Sequence, residues 1–395
     1  MWQVAIIFSC LMMMGVNAIT RGQHSYPVNL DKDIQAKLTP DEVILCYGLA
    51  DSVLSLTAAD HQSEVKATIV VNDLFWESLN AYRKKIKSAD LNNFFVYSEL
   101  LYSFLVQPVR DILRDKQRLI IIPDQALEEV PFEALTPGSI SDKNDNSKTP
   151  RFLIHDFEVV YRRAEVSRWV NQPNHFDVST EKKNQDFYAF IGFSPGFTNH
   201  SSKWGLPATK TELASIESMF ETNGLPARLV EGESSRKDNF KEMAGHGRIL
   251  HLATHYFNGS DEPNHNGFLF SGNNKNGGQK SECEEVLTIE ELCDLRLQAD
   301  LVVLSACASG MERVRPGKYR NAIPEIFLTA GAQNILSTLW NVTDRLTGSF
   351  MVNFYRLLFA GKSYSAALRE VKLQMISCRE TSLPTVWAAY ILTER

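Results

Sequence analysis

Two short apolar runs constrain this chain more than any other feature. They are Arg248-Ile-Leu-His-Leu-Ala-Thr-His255 and Asp300-Leu-Val-Val-Leu-Ser-Ala-Cys307, the second continuing into Ala308, Ser309 and Gly310. Continuous apolar runs of this length, set between polar segments and separated by a helix signal, are the pattern of strands buried on both faces of a parallel sheet. In an open sheet of that kind the reacting groups sit just beyond the carboxyl ends of neighbouring strands. His255 and Cys307 both fall at that point, which makes them a candidate Cys/His dyad. A lone Cys at a strand end is ordinarily a small buried hydrophobe. The matched His is what changes the reading.

Chemistry at such a dyad has three requirements. The thiol of Cys307 must give its proton to the imidazole of His255, because the thiolate is the nucleophile. The imidazole must then protonate a leaving amine. Backbone N–H groups must meet the developing oxyanion, and the amides of Cys307 and Tyr256 are the expected donors. Ala306, Ala308, Ser309 and Gly310 keep the approach to the sulfur open, and no residue stands out as a third member orienting His255.

Neither a metal nor a cofactor is expected. His251 and His255 are four positions apart, but on a strand their side chains stand ~13 Å from one another, too far to share zinc. Gly361-Lys-Ser363 resembles the end of a phosphate-binding loop, yet Arg356 occupies the position of its first Gly and no strand precedes it.

The 395 residues are 44% hydrophobic, enough for one large core or two medium ones, and the length favours two units. A net charge of −6 and the absence of any Lys/Arg-rich run argue against nucleic acid as a partner. No stretch of the mature chain reaches the ~18 apolar residues of a membrane span. Cys10, Cys46, Cys283, Cys293, Cys307 and Cys378 form no CxxC pair, so neither a zinc site nor a disulfide framework is indicated. Residues 1–18, an apolar run ending in Val16-Asn-Ala18, resemble a secretory signal peptide, although Met1-Trp-Gln3 carries no Lys or Arg. With a signal the chain is extracytoplasmic and without one cytoplasmic, and both readings stay open.

Val43–Tyr47, Ser52–Leu56 and Val65–Val71 read as a β-meander, followed by helices over Leu74–Lys87 and Tyr97–Arg114, the second perturbed by Pro108. Arg118–Pro123 is a buried strand, Asp124–Leu135 a turn and helix, and Phe157–Tyr161 a further strand. Polar residues 171–185 form the softest boundary, which divides the chain into an N-terminal part, residues 30–171, and a C-terminal part, residues 186–395. In the second part Thr209-Lys-Thr-Glu212 and Thr288-Ile-Glu-Glu291 read as capping boxes that launch helices. Helices from Thr343 and Ser363 and a last strand, Val386–Leu392, close the chain. Alternation of this kind predicts an α/β fold, a mostly parallel sheet covered on both faces by helices.

Together, His251–His255, Leu301–Gly310 and Phe327–Asp344, with Ile121-Ile-Pro-Asp124, Leu127–Leu135 and Pro384–Tyr390, resemble the CHAT domain family of caspase- and separase-like cysteine peptidases. The motifs occur in the family's order from about Leu38 to Thr393. The resemblance implies a caspase-like fold, an N-terminal part that is a degenerate copy of the peptidase part, and endopeptidase activity on a protein substrate. It assigns Cys307 as nucleophile and His255 as catalytic His, and Cys307 follows His255 by 52 positions, close to the roughly 50 of caspases. Asp344 in Trp340-Asn-Val-Thr-Asp344 matches a separase segment whose Asp lines the P1 pocket, which implies a basic P1 residue. The alternative reading of Asp344 is a helix N-terminal charge. Two departures stand out: Tyr256 replaces the usual Gly after the His, and residues 19–37 leave no room for the family's tetratricopeptide repeats. A separate activating or sensing protein would then supply that function. Tyr256 also keeps open an inactive or latent module that serves as an interaction scaffold in signalling.

Overall fold

The computed structural model describes residues 30, 32–138, 150–163, 176, 187–195, 207–257, 267–272, 284–305 and 322–395. Helix α1 (Lys32–Gln35) precedes the expected meander of β1 (Glu42–Ala50), β2 (Val53–Ala59) and β3 (Glu64–Val70). Helices α2 (Asp73–Ser88) and α3 (Phe94–Leu105) lead to β4 (Arg118–Ile122) and β5 (Glu158–Arg162). The second part runs β6 (Tyr188–Ser194), α4 (Pro207–Thr222), β7 (Ala227–Glu231), α5 (Lys237–Met243) and β8 (Gly247–Leu252). Then come β9 (Tyr256–Phe257), β10 (Gly267–Ser271), β11 (Glu284–Thr288), α6 (Ile289–Cys293), β12 (Leu301–Leu304), α7 (Ala322–Ala330) and β13 (Asn334–Thr338). Helices α8 (Asp344–Phe359), α9 (Tyr364–Ser377) and α10 (Pro384–Trp387) and strand β14 (Tyr390–Glu394) complete the order.

Eleven of these strands form one sheet in the order β3-β2-β1-β4-β5-β14-β13-β12-β8-β6-β7. Strands β1, β4 and β5 are mutually parallel, as are β7, β6, β8, β12 and β13. Strand β14 joins the sets, parallel to β5 and antiparallel to β13. The two sets therefore run in opposite directions, and the carboxyl ends of β8 and β12 lie at the edge opposite to those of β4 and β5.

Alternation along each strand sends side chains to two cores. On β8, Ile249 faces a cluster shared with α4, α8 and α9, whereas Leu250 and Leu252 face one shared with α5, α6 and α7. The sheet is thus covered on both faces, and the α/β architecture expected from the sequence, a mostly parallel sheet flanked by helices, is compatible with a caspase-like fold.

Local chemistry accounts for the element ends. Asn72 caps α2 by accepting the Phe75 N–H at 3.2 Å. The α3 helix stops at Leu105 and the chain continues as a 3₁₀ stretch through Pro108, whose ring cannot sit in a helix interior. Gly361, with φ of 83°, closes α8, and the Ser363 hydroxyl accepts the Ala366 N–H at 3.1 Å to start α9. The segment that resembled a phosphate loop is therefore a helix–helix turn.

Two expectations about the elements need correction. Asp124–Leu135 holds 3₁₀ turns, not an α-helix. The last strand begins at Tyr390, because Pro384–Trp387 forms a helical turn that buries Trp387 completely. After the His strand stands a small antiparallel sheet, β11-β10-β9, to which the sequence reading assigned no strands.

Buried charge fastens the two parts together. Lys372 on α9 bonds Glu133, and each is about 1% exposed. Glu133 also accepts the Tyr161 hydroxyl, whose oxygen takes the Phe132 N–H at 2.9 Å. Burial pulls the Lys372 ammonium below its usual range, and Glu133 pushes it back up. At the sheet's centre Arg118 bonds both Glu42 and Glu394, and Arg162 bonds Glu394 at 3.0 Å. Removing one partner of a buried pair leaves an uncompensated charge. Lys372→Met is therefore expected to cost about 3–5 kcal/mol and to lower the thermal midpoint by roughly 5–10 °C, and adding Glu133→Gln is expected to restore most of the loss, as read by thermal denaturation.

Candidate active site

Strands β8 and β12 pair in parallel with Leu301 opposite Ile249 and Leu304 opposite Leu252. Their amino ends are pinned by Arg248, whose Nε donates to Asp300 Oδ2 at 2.9 Å, while the Asp300 N–H donates to the Arg248 carbonyl at 2.7 Å. At the carboxyl ends the ladder continues one step, the Ser305 N–H donating to the Leu252 carbonyl at 3.0 Å. His255 and Cys307 each follow the Leu252/Leu304 pair by three positions. Cys307, with Ala306 and Ala308–Gly310, lies outside the described residues.

The second sheet fixes the His side. The Leu269 N–H of β10 donates to the His255 carbonyl at 2.9 Å, and the Thr254 hydroxyl bonds the Leu269 carbonyl. His255 itself is only 7% exposed. Tyr256 sits opposite Phe268, and its ring meets that of Phe268 edge-on at 5.3 Å. The large residue that replaces Gly therefore packs into the aromatic cluster of the sheet, and burial raises its hydroxyl to about 12, helped by the charge of Glu290.

A cavity of about 250 Å³ opens beside Tyr256, lined by Phe268, Leu304, Ile323 and Trp340 and reaching Arg163 and Glu128 of the N-terminal part. Asp344 is not among its lining residues. It begins α8 and accepts a bond from the Thr209 hydroxyl at 3.0 Å.

That bond exposes a group the sequence had hidden. Helix α4 begins at Pro207, two residues ahead of Thr209, so Thr209 and Glu212 lie inside the helix and form no capping box. Their spacing puts them on the stripe that also carries Leu213, Ile216 and Phe220, and both are 3% exposed. A carboxylate on an apolar stripe was the available signal. Glu212 Oε1 stands 3.3 Å from Nε2 of the wholly buried His251, which alternation on β8 turns towards α4 and α8. The same Nε2 is 2.8 Å from the Ser305 hydroxyl, Nδ1 is 3.3 Å from the Tyr355 hydroxyl, and the Tyr355 ring stacks on the imidazole at 5.8 Å.

Burial pushes the Glu212 carboxyl up to about 8, the charge of Asp344 adds to this, and the Ser305 hydroxyl works against it. Burial likewise drives His251 down to about 3. The contact has the geometry of an ion pair, but both shifts favour the uncharged forms, and the desolvation of two ions explains why. At neutral pH the pair is a carboxylic acid beside a neutral imidazole. Among the described residues no group of three or more His, Cys, Asp or Glu side chains is placed to hold a metal ion, and no helix is long and apolar enough to cross a membrane.

The mixed sheet, with His255 beyond one central strand, is compatible with a caspase-like fold. The CHAT domain family model matches residues 96–394, and the chain belongs to that family, a caspase-like peptidase family. It is also similar to tetratricopeptide repeat protein 28 of Mus musculus, 38% identical over 109 residues, or 28% of this chain and 4% of that protein. The human protein of the same name is 34% identical over 120 residues, 29% of this chain and 5% of its own length. The matched region is thus a small fraction of either relative.

The His251 ring is expected to stay neutral from pH 8 down to about pH 4, since its folded value lies near 3. Its contribution to stability is present above the unfolded value of ~6.5 and is lost as pH falls towards the folded one. A ¹⁵N-histidine NMR titration that follows His251 reads this directly, and a midpoint near 6.5 would contradict the assignment.

Proposed function

We propose that the chain is a cysteine endopeptidase of caspase/separase type that cleaves a protein substrate. Cys307 is the nucleophile and His255 the general base and then acid. The observation that supports this reading is the register of β8 and β12: His255 and Cys307 each come three positions later in sequence than one paired step, Leu252 opposite Leu304. The backbone also supports Tyr256 as an oxyanion donor beside the Cys307 amide. Because the Leu269 N–H reaches the His255 carbonyl, Tyr256 and Phe268 form a non-hydrogen-bonded pair, and the Tyr256 N–H points away from β10. The burial of the Tyr256 side chain counts against the scaffold reading, which drew its strength from a bulky residue at this position.

Asp344 is the proposed P1 selector, a carboxylate for an Arg or Lys side chain. The cavity beside Tyr256 and Trp340, whose lining combines the apolar Leu304 and Ile323 with the charged Glu128 and Arg163, is the competing pocket. Residues 30–171 then serve as a pseudo-peptidase part and residues 186–395 as the peptidase part, with a separate protein as activator. Cleavage of a fluorogenic library carrying Arg, Lys, Asp or neutral residues at P1 tests these roles. Turnover biased to Arg or Lys is expected, falling at least about a thousandfold in Cys307→Ala and roughly tenfold or more for basic P1 in Asp344→Asn. Turnover retained by Cys307→Ala would remove the peptidase reading, and a preference for apolar P1 would move selection to the cavity.

A further inference from the structure

At the carboxyl ends of β8 and β12 lies a polar chain that peptide cleavage does not itself require. We propose that Glu212 is a positioning residue for this peptidase: through His251 and Ser305 it holds the carboxyl ends of β8 and β12 in the register that His255 and Cys307 depend on. The proposal rests on the peptidase reading for its purpose but not for its geometry. His251 belongs to β8 and Ser305 directly follows β12, so the 2.8 Å contact between them bridges the two strands four residues before His255 and two before Cys307. Glu212 comes from a third element, α4, and closes on the same nitrogen at 3.3 Å.

Neither carboxyl oxygen of Glu212 has a hydrogen bond of ordinary geometry among the described residues, although the side chain is almost wholly buried. An ionised carboxylate left so would be costly, whereas the neutral acid carries a proton it can offer to its neighbours. Among the described residues the groups that face it are His251 from β8, Ser305 after β12, and Asp344 and Tyr355 from α8. None is a cation at neutral pH, and Asp344 opposes a second negative charge. Glu212 therefore acts in its protonated form, which persists until pH rises through about 8. The sign follows: its contribution to stability is complete below the unfolded value of ~4.3 and is lost progressively as pH climbs to about 8. Above that the register should loosen.

The test compares wild type, Glu212→Gln and Glu212→Ala between pH 6 and 9.5. Gln keeps the shape and a donor but cannot ionise. Two rates are measured: iodoacetamide alkylation of the Cys307-bearing peptide by mass spectrometry, and kcat/KM on the best substrate of the library. The ratio of wild type to Glu212→Gln is expected to be flat below pH 7 and to fall at least fivefold by pH 9.5 in alkylation, which needs no turnover. A ratio that stays flat to pH 9.5 would overturn the proposal, even if Glu212→Ala fails to fold. Alkylation that follows the expected profile without turnover in any protein would keep the positioning role and reject the peptidase, and turnover with a flat alkylation ratio would do the reverse.

Discussion

The pairing of β8 with β12 is the interaction on which the site depends. Four consecutive residue pairs, from Leu301/Ile249 to Leu304/Leu252, are buried on both faces, and the Arg248–Asp300 contact fixes where the ladder starts. A slip of one residue would reverse which side chains face which core, turning His251 into the core that Leu250 and Leu252 fill in the observed register and turning those two leucines out of it. The hydrophobic pattern and the site geometry are therefore one constraint.

Much of this was legible in the sequence because buried parallel strands announce themselves. The runs around Leu250 and Val303 have no polar alternation, so their place inside a covered sheet could be read directly, as could the helix starts at Thr288, Thr343 and Ser363. Less legible were features whose cause is tertiary. Strands β10 and β11 are separated in sequence by residues of loop composition, and β10 is held by contacts to His255 and Tyr256. Glu212 was misread for a different reason. Thr-x-x-Glu is the signature of a helix start, and the same two residue types two positions into a helix carry an identical local signal with a different partner. Only the folded neighbourhood of Asp344 and His251 separates the two.

Two of the buried acidic groups, Glu133 and Glu212, are handled differently. Glu133 meets an ammonium and a phenol, so its environment supplies a cation and a donor together. Glu212 meets an imidazole that is itself wholly buried, and a second carboxylate stands nearby. In the first case the attraction of Glu133 works against the desolvation of Lys372, whereas in the second protonation relieves the cost. The first group joins α9 to the segment between β4 and β5, and the second lies beside His251 of β8 and Ser305 after β12.

Strand β14 occupies the middle of the sheet yet follows every other strand in sequence. During synthesis the flanking edges, β5 on one side and β13 on the other, must both exist before the strand that joins them. Each would present unpaired backbone groups to its surroundings in the interval, at the stage when a nascent chain is most prone to pair with the wrong neighbour. The contact of Arg118 with Glu394, separated by 276 positions, can form only at that last moment. Assembly of the site's supporting sheet is thus a late event, and a chaperone that shields strand edges would act on this chain at one definable point: after β13 has emerged and before β14 has docked.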